Sequence, residues 1–277
     1  MADKSKIEWT DATWNPVIGC SKVSPGCAHC YAEALTMRFA NTWKVPGLPW
    51  TPGNAGQNVL LRPERLEQPL RWGLSRMVFV NSMSDLFHDA VPDAYIAKVF
   101  AVMAVADRHV FQVLTKRPER MAALLSQETW QAEVEGAIAE LGSPAIAQWP
   151  LPNVWLGTSI ENRRFVFRAD LLRETPAAIR FVSAEPLLGP IAAALDLTSI
   201  DWLIVGGESG NRHRRMDGDW VRDLRHSAHD ARTAFFFKQW GGQTSKANGR
   251  ELDGRTWDEL PKSHPRAGAE RALRLTA

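Results

Sequence analysis

The sequence predicts an α/β protein built on a partial (β/α) barrel of about six to seven parallel strands. Three observations point that way. Short apolar, β-prone runs recur along the 277 residues, each about the length of a strand buried on both faces. Stretches with helical spacing lie between most of them, as strand–helix repeats require. Polar residues collect at the carboxyl end of nearly every run, where folds of this class place their active sites.

The runs are Met77–Val80, Val110–Leu114, Val154–Leu156, Ile179–Val182, Trp202–Val205 and Ala234–Phe237. Asn15 to Gly19 reads as a poorer first strand. Helices are expected over Tyr31–Arg38, Ala94–Ala106, Pro118–Leu125, Arg163–Arg173 and Trp220–Ala231, the second opened by Pro92-Asp93. Two stretches break the rhythm. Residues 41–63 are rich in Pro, Gly, Trp and Asn, and residues 126–152 begin helical and then turn to proline. Both read as insertions that cover the top face or lengthen a connection. The barrel domain is placed at 1–243, with residues 244–277 as a polar carboxyl-terminal extension that packs loosely.

Composition bounds the function. The chain carries 33 basic and 31 acidic residues, a net charge of +2. That balance argues against binding nucleic acid by bulk electrostatics and leaves room only for a local patch. No apolar run approaches the ~20 residues of a membrane span, and the first residues lack the apolar core of a secretory signal. The expectation is a cytoplasmic protein with reduced thiols and no membrane partner. Twelve tryptophans against two tyrosines read mainly as bulky packing.

The chain has three cysteines, Cys20, Cys27 and Cys30, all in one C-x6-C-x2-C window. Ser24-Pro25-Gly26 supplies a turn, and a helix follows from Tyr31, whose positive end favours thiolates. The spacing alone leaves three readings. The thiolates hold a [4Fe-4S] cluster with one iron open. They hold zinc, with His29 or His88 as fourth ligand. Or they are inert small hydrophobes, which the polar Gly/Pro setting disfavours. No second C-x2-C or H-x3-H pair closes a zinc site.

A three-cysteine motif after a first strand, followed by strand–helix units, resembles the radical S-adenosylmethionine (SAM) superfamily. Trp14-Asn15-Pro16-Val17-Ile18-Gly19-Cys20 and Ser24-Pro25-Gly26-Cys27-Ala28-His29-Cys30-Tyr31-Ala32-Glu33 resemble more closely an uncharacterised phage-associated family with this motif. So do Asn81-Ser82-Met83-Ser84-Asp85-Leu86-Phe87, Leu114-Thr115-Lys116-Arg117-Pro118, Gly206-Gly207-Glu208-Ser209-Gly210 and Lys238-Gln239-Trp240-Gly241. The superfamily's usual spacing is C-x3-C-x2-C, so the first gap here is longer.

The resemblance implies a radical-SAM-like barrel whose cofactors are a [4Fe-4S] cluster on Cys20, Cys27 and Cys30 and SAM at its open iron, with an electron donor as partner. It implies His29 near the adenine. It places Asn81, Ser82, Ser84 and Asp85 at the amino-group position, where the superfamily's Gly-Gly-Glu is absent. It sets Ser159 and Glu161 near the ribose, and Gly206, Gly207, Glu185 and Glu208 around the same mouth. Lys116, Arg117 and Lys238 are candidates for an anionic substrate or the SAM carboxylate, or for ion pairs with glutamates. Arg212-His213-Arg214-Arg215 is the densest basic patch, a solvated loop or a phosphate contact. The phage-associated resemblance makes a nucleotide or nucleic acid an attractive substrate. The competing function is a zinc-binding protein that processes or binds nucleic acid through structural cysteines.

Overall fold

A computed structural model of the chain describes residues 5–144 and 148–261. Seven strands form one parallel sheet whose order follows the chain. They are β1 (Ala12–Trp14), β2 (Met77–Val80), β3 (Val110–Thr115), β4 (Val154–Ser159), β5 (Ile179–Ala184), β6 (Trp202–Gly206) and β7 (Ala234–Gln239). Each connection steps one strand along, so the sheet curls into a half-barrel.

Both faces of the sheet are buried, which is why its strands read as unbroken apolar runs. The period of two sends alternate side chains to opposite faces. Val78, Val80, Phe111, Val113, Leu156, Val182, Leu203, Val205 and Phe237 belong to the main core with the helices. Phe79, Trp155, Phe181, Trp202, Ile204 and Phe236 form a second, inner cluster with Trp9. Trp202 is its hub. Its ring centroid lies 6.1 Å from Trp9, 5.8 Å from Trp155, 5.7 Å from Phe181 and 5.9 Å from Phe236. The tryptophan-rich composition therefore goes in part into a plug inside the half-barrel, each buried ring contributing on the order of 1.5–3 kcal/mol. Gly157 makes room for it: a Cβ there would stand 2.5 Å from the Phe181 ring.

The longer helices are α1 (Tyr31–Arg38), α2 (Asp93–Val105), α3 (Pro118–Leu125), α4 (Trp130–Glu140), α5 (Arg168–Glu174) and α6 (Gly218–Asp230). Asp217 caps α6, its side chain accepting from Asp219 N at 2.9 Å. No helix among the described residues is long and apolar enough to cross a membrane.

The structure corrects several expectations. The first sheet strand is Ala12–Trp14, not Asn15 to Gly19. Pro16 cannot donate to a ladder, and Val17–Ile18 pairs antiparallel with Leu60–Leu61 instead. Residues 41–63 thus fold back on the first loop. The expected helix at Arg163 starts as a 3-10 turn over Arg163–Phe165, and the α-helix begins at Arg168. Of the two expectations for residues 126–152 the structure shows the lengthened connection: α4 lies between α3 and β4 and packs against α2 in the outer core, with the Phe100 and Trp130 rings 5.6 Å apart. The last described stretch is not loose. Phe236 bridges antiparallel to Asp258, and Phe237 N donates to Trp257 O at 2.9 Å, so this stretch covers the edge of β7. Residues 262–277 of the expected extension lie outside the described residues.

Candidate functional site

Above the aromatic plug, the inward positions turn polar. Two residues past Phe79 comes Asn81, and two past Phe181 comes Ser183, then Glu185. Lys238 follows Phe236 in the same way. These residues line a cavity of about 680 Å³ at the carboxyl end of the sheet, together with Lys116 just past β3, Ser159 at the end of β4 and Glu208 just past β6. That volume falls within the range of small-molecule pockets, roughly 300–1,000 Å³. Cys20, Cys27 and Cys30 line the same cavity.

The cysteine loop is clamped at several points. On one side Arg117 Nη2 donates to Ser21 O at 3.1 Å and to Ser21 Oγ at 3.0 Å. His88 Nδ1 accepts from Ala90 N at 3.0 Å, so the neutral ring carries its proton on Nε2 and donates it to Ser21 Oγ at 2.8 Å. Burial and the nearby Arg117 charge lower the His88 pKa and keep that ring neutral. On the other side Ser24 Oγ donates to Glu161 Oε1 at 2.5 Å. Beyond Cys30, Tyr31 Oη donates to Ser82 O at 2.7 Å, and Glu33 accepts from Trp50 N at 2.8 Å. Glu208 pairs with Arg214 and stands 3.2 Å from His29 Nδ1, while Arg214 Nη2 donates to Pro25 O at 3.0 Å.

The thiols are half-buried and free. Burial, and then the Asp85 charge, pushes Cys20 up to about 12 against the pull of Arg117. Burial likewise raises Cys30, opposed by hydrogen bonds from the Glu33 and Ala32 backbone amides at the start of α1. Glu208 goes the other way. Burial would raise it, but hydrogen bonds from Arg214 and His29 hold it down at about 2.

The predicted site residues fall into two groups. Asn81, Ser82, Ser84, Ser159, Glu185, Gly207, Glu208 and His29 line the cavity. Asn81 is 2% exposed at φ 60, and neither polar atom of its side chain has a partner among the described residues. Ser82 and Ser84 are turned toward the first loop, bonding the Asn15 side chain and Val17 O. Glu185 pairs with Lys238 at 3.0 Å.

Other predicted residues hold the scaffold in place of a ligand. Glu161 is fully buried outside the cavity lining, its oxygens taken by Ser24, Arg168 and Lys116. Asp85 borders the cavity, but its oxygens accept from Thr115, Phe87, Lys116 and Arg117. Arg117 is likewise spent within the protein, and does not present a free fork to an anion. A Cβ on Gly206 would meet Glu185 Oε1 at 2.5 Å, so this glycine makes room for a neighbour. One on Gly207 would meet Trp240 O at 2.0 Å.

Sequence reasoning assigned no site role to Ser21, Ser24, Arg168 and Ser183. The period of two from Phe181 would have found Ser183. The others act through partners remote in sequence and leave no local signal.

The donors are thiols on a clamped loop beside an open cavity. Among the described residues no group of three or more His, Cys, Asp or Glu side chains is placed to hold a metal ion. His88 uses both ring nitrogens within the protein, and His29 faces Glu208.

The fold and site define a half-barrel α/β protein with a three-cysteine loop at the mouth of a strand-end cavity. The chain belongs to the family described as Protein of unknown function (DUF5131), which matches residues 4–261. No curated protein and no solved structure matches it.

Proposed function

We propose that this protein is a radical SAM enzyme. Cys20, Cys27 and Cys30 would hold a [4Fe-4S] cluster, with SAM and substrate in the cavity beneath. One observation carries the reading: three thiols, and no carboxylate among the loop's donors, face the cavity into which six further strands send polar residues. Held by those three thiolates, a cluster would supply the electron for reductive cleavage of the SAM sulfonium C–S bond to methionine and a 5′-deoxyadenosyl radical able to take a hydrogen atom from substrate.

The chain's own residues position and shield. The aromatic plug fills the interior of the half-barrel beneath the polar lining. Glu208, ionised throughout the neutral range, holds Arg214 and His29 in place, and the His29 ring offers a polar contact for a ribose or an amino group. Asn81 brings an unpaired amide to the cavity wall, and its left-handed backbone suits asparagine. Lys238 and Glu185 present a paired cation and anion to ligand. Arg212 and Arg215 are exposed beside Gly210 at the mouth, without ion-pair partners among the described residues. They support a phosphate-bearing substrate, a nucleotide or nucleic acid, in keeping with the phage-associated resemblance. Each chain then also needs a one-electron donor.

The test is anaerobic reconstitution with iron and sulfide, then SAM and a reductant. The reading expects a brown protein absorbing broadly near roughly 400 nm and release of 5′-deoxyadenosine. Stoichiometric zinc with no iron uptake overturns it in favour of structural cysteines. A fully loaded cluster that leaves SAM intact overturns the radical step alone.

A further inference from the structure

We propose that Arg117 is a positioning residue that raises the reduction potential of the cluster through an N–H···S hydrogen bond to Cys20, an inference that rests on the cluster reading above. Arg117 Nη1 lies 3.5 Å from Cys20 Sγ and 3.1 Å from Asp85 Oδ2. The side chain is 9% exposed, too little for water to screen it as at a surface.

Its aim is over-determined. Asp85 cannot follow it, because Thr115 Oγ1 at 2.7 Å, Phe87 N at 3.0 Å and Lys116 N at 3.1 Å fix the carboxylate. The other arm of the fork is tied to Ser21 O and Ser21 Oγ, and Ser21 Oγ is also met by His88. The guanidinium therefore points at the sulfur with no freedom to swing toward a ligand.

Reduction adds one negative charge that spreads over the irons and their thiolates. A buried N–H donor and cation at one thiolate stabilise the reduced state more than the oxidised state, and hydrogen bonds to sulfur are a recognised control of such potentials. Asp85 offsets part of the charge, but the N–H remains aimed at Cys20. The resulting cluster is easier to reduce than its three ligands alone would make it.

The experiment compares the reconstituted full chain with Arg117→Gln and Arg117→Lys. Iron content is measured first, and the midpoint potential by redox titration followed with EPR. All three proteins are expected to fill with iron. At the wild-type midpoint the reduced-to-oxidised ratio of Arg117→Gln falls about tenfold, a 59 mV shift for one electron. Arg117→Lys keeps an ion pair for Asp85 and shifts less in the same direction, so it decides the matter if the glutamine variant does not fold. Equal potentials in filled proteins overturn the proposal. So does loss of iron uptake in both variants, which would make Arg117 a strut of the loop and nothing more. A wild-type chain that takes up no cluster fails the underlying reading instead, and is told apart at the iron measurement.

Discussion

Glu161 accepts the Ser24 hydroxyl at 2.5 Å across 137 residues of sequence. The contact fastens the turn between the first and second cysteines to the carboxyl end of β4. Gly26 lies against the same glutamate, where a Cβ would stand 2.5 Å from its Cγ. Behind it, Arg168 is only 3% exposed and pairs with Glu161 at 3.2 Å.

Glu161→Ala should therefore act on stability and on the loop together. It strands a buried guanidinium, which costs about 3–5 kcal/mol when one partner of a buried pair is removed. Glu161→Gln, which keeps an acceptor for Ser24, should cost less. Urea unfolding and iron uptake of both variants check this. Iron uptake that survives Glu161→Ala unchanged would show that the Ser24 contact does not hold the loop.

Gly157→Ala should destabilise the plug. The new methyl meets the Phe181 ring at 2.5 Å, and overpacking of this kind costs about 1–3 kcal/mol. Phe181→Leu removes the obstructing ring, so in the double variant the alanine should cost much less than it does alone. Thermal melts of the four proteins in a mutant cycle give the coupling, and simple additivity would place the ring elsewhere.

The Glu208–Arg214 pair sets a pH dependence. The carboxyl titrates at about 2 in the folded protein against an ordinary 4.5. Between those values the unfolded chain binds more protons, so stability rises with pH there. The pair's contribution is complete above about 4.5 and is lost as pH falls toward 2. Glu208→Gln should then unfold at lower urea than wild type by a constant margin at neutral pH, and the margin should shrink on acidification below about pH 4.5. A margin that grows in acid would contradict the assignment.

The sheet was legible because a strand buried on both faces advertises itself: Met77–Val80 and Trp202–Val205 are continuous apolar runs. β1 was hidden because it is three residues long and begins beside Thr10 and Asp11. Val17–Ile18 looked like its strand for the opposite reason, being apolar and β-branched, yet its partner is Leu60–Leu61. The edge-covering stretch near Asp258 is polar and pairs through isolated contacts, so no periodicity marks it. In the site, the cysteines were visible from spacing alone. The supports were not. Arg117 is 97 residues from Cys20, and which glutamate faces the cavity (Glu185, Glu208) and which lies under the loop (Glu161) depends on side-chain direction at the strand end, which residue type does not report.

The most direct test of the central claim is the iron and acid-labile sulfide content of the anaerobically reconstituted chain, measured beside Cys27→Ala. The account predicts about four irons and four sulfides per wild-type chain, with the intact cluster lost in the variant. Wild-type protein that binds one zinc and no sulfide, or a Cys27→Ala chain that loads as fully as wild type, would contradict it.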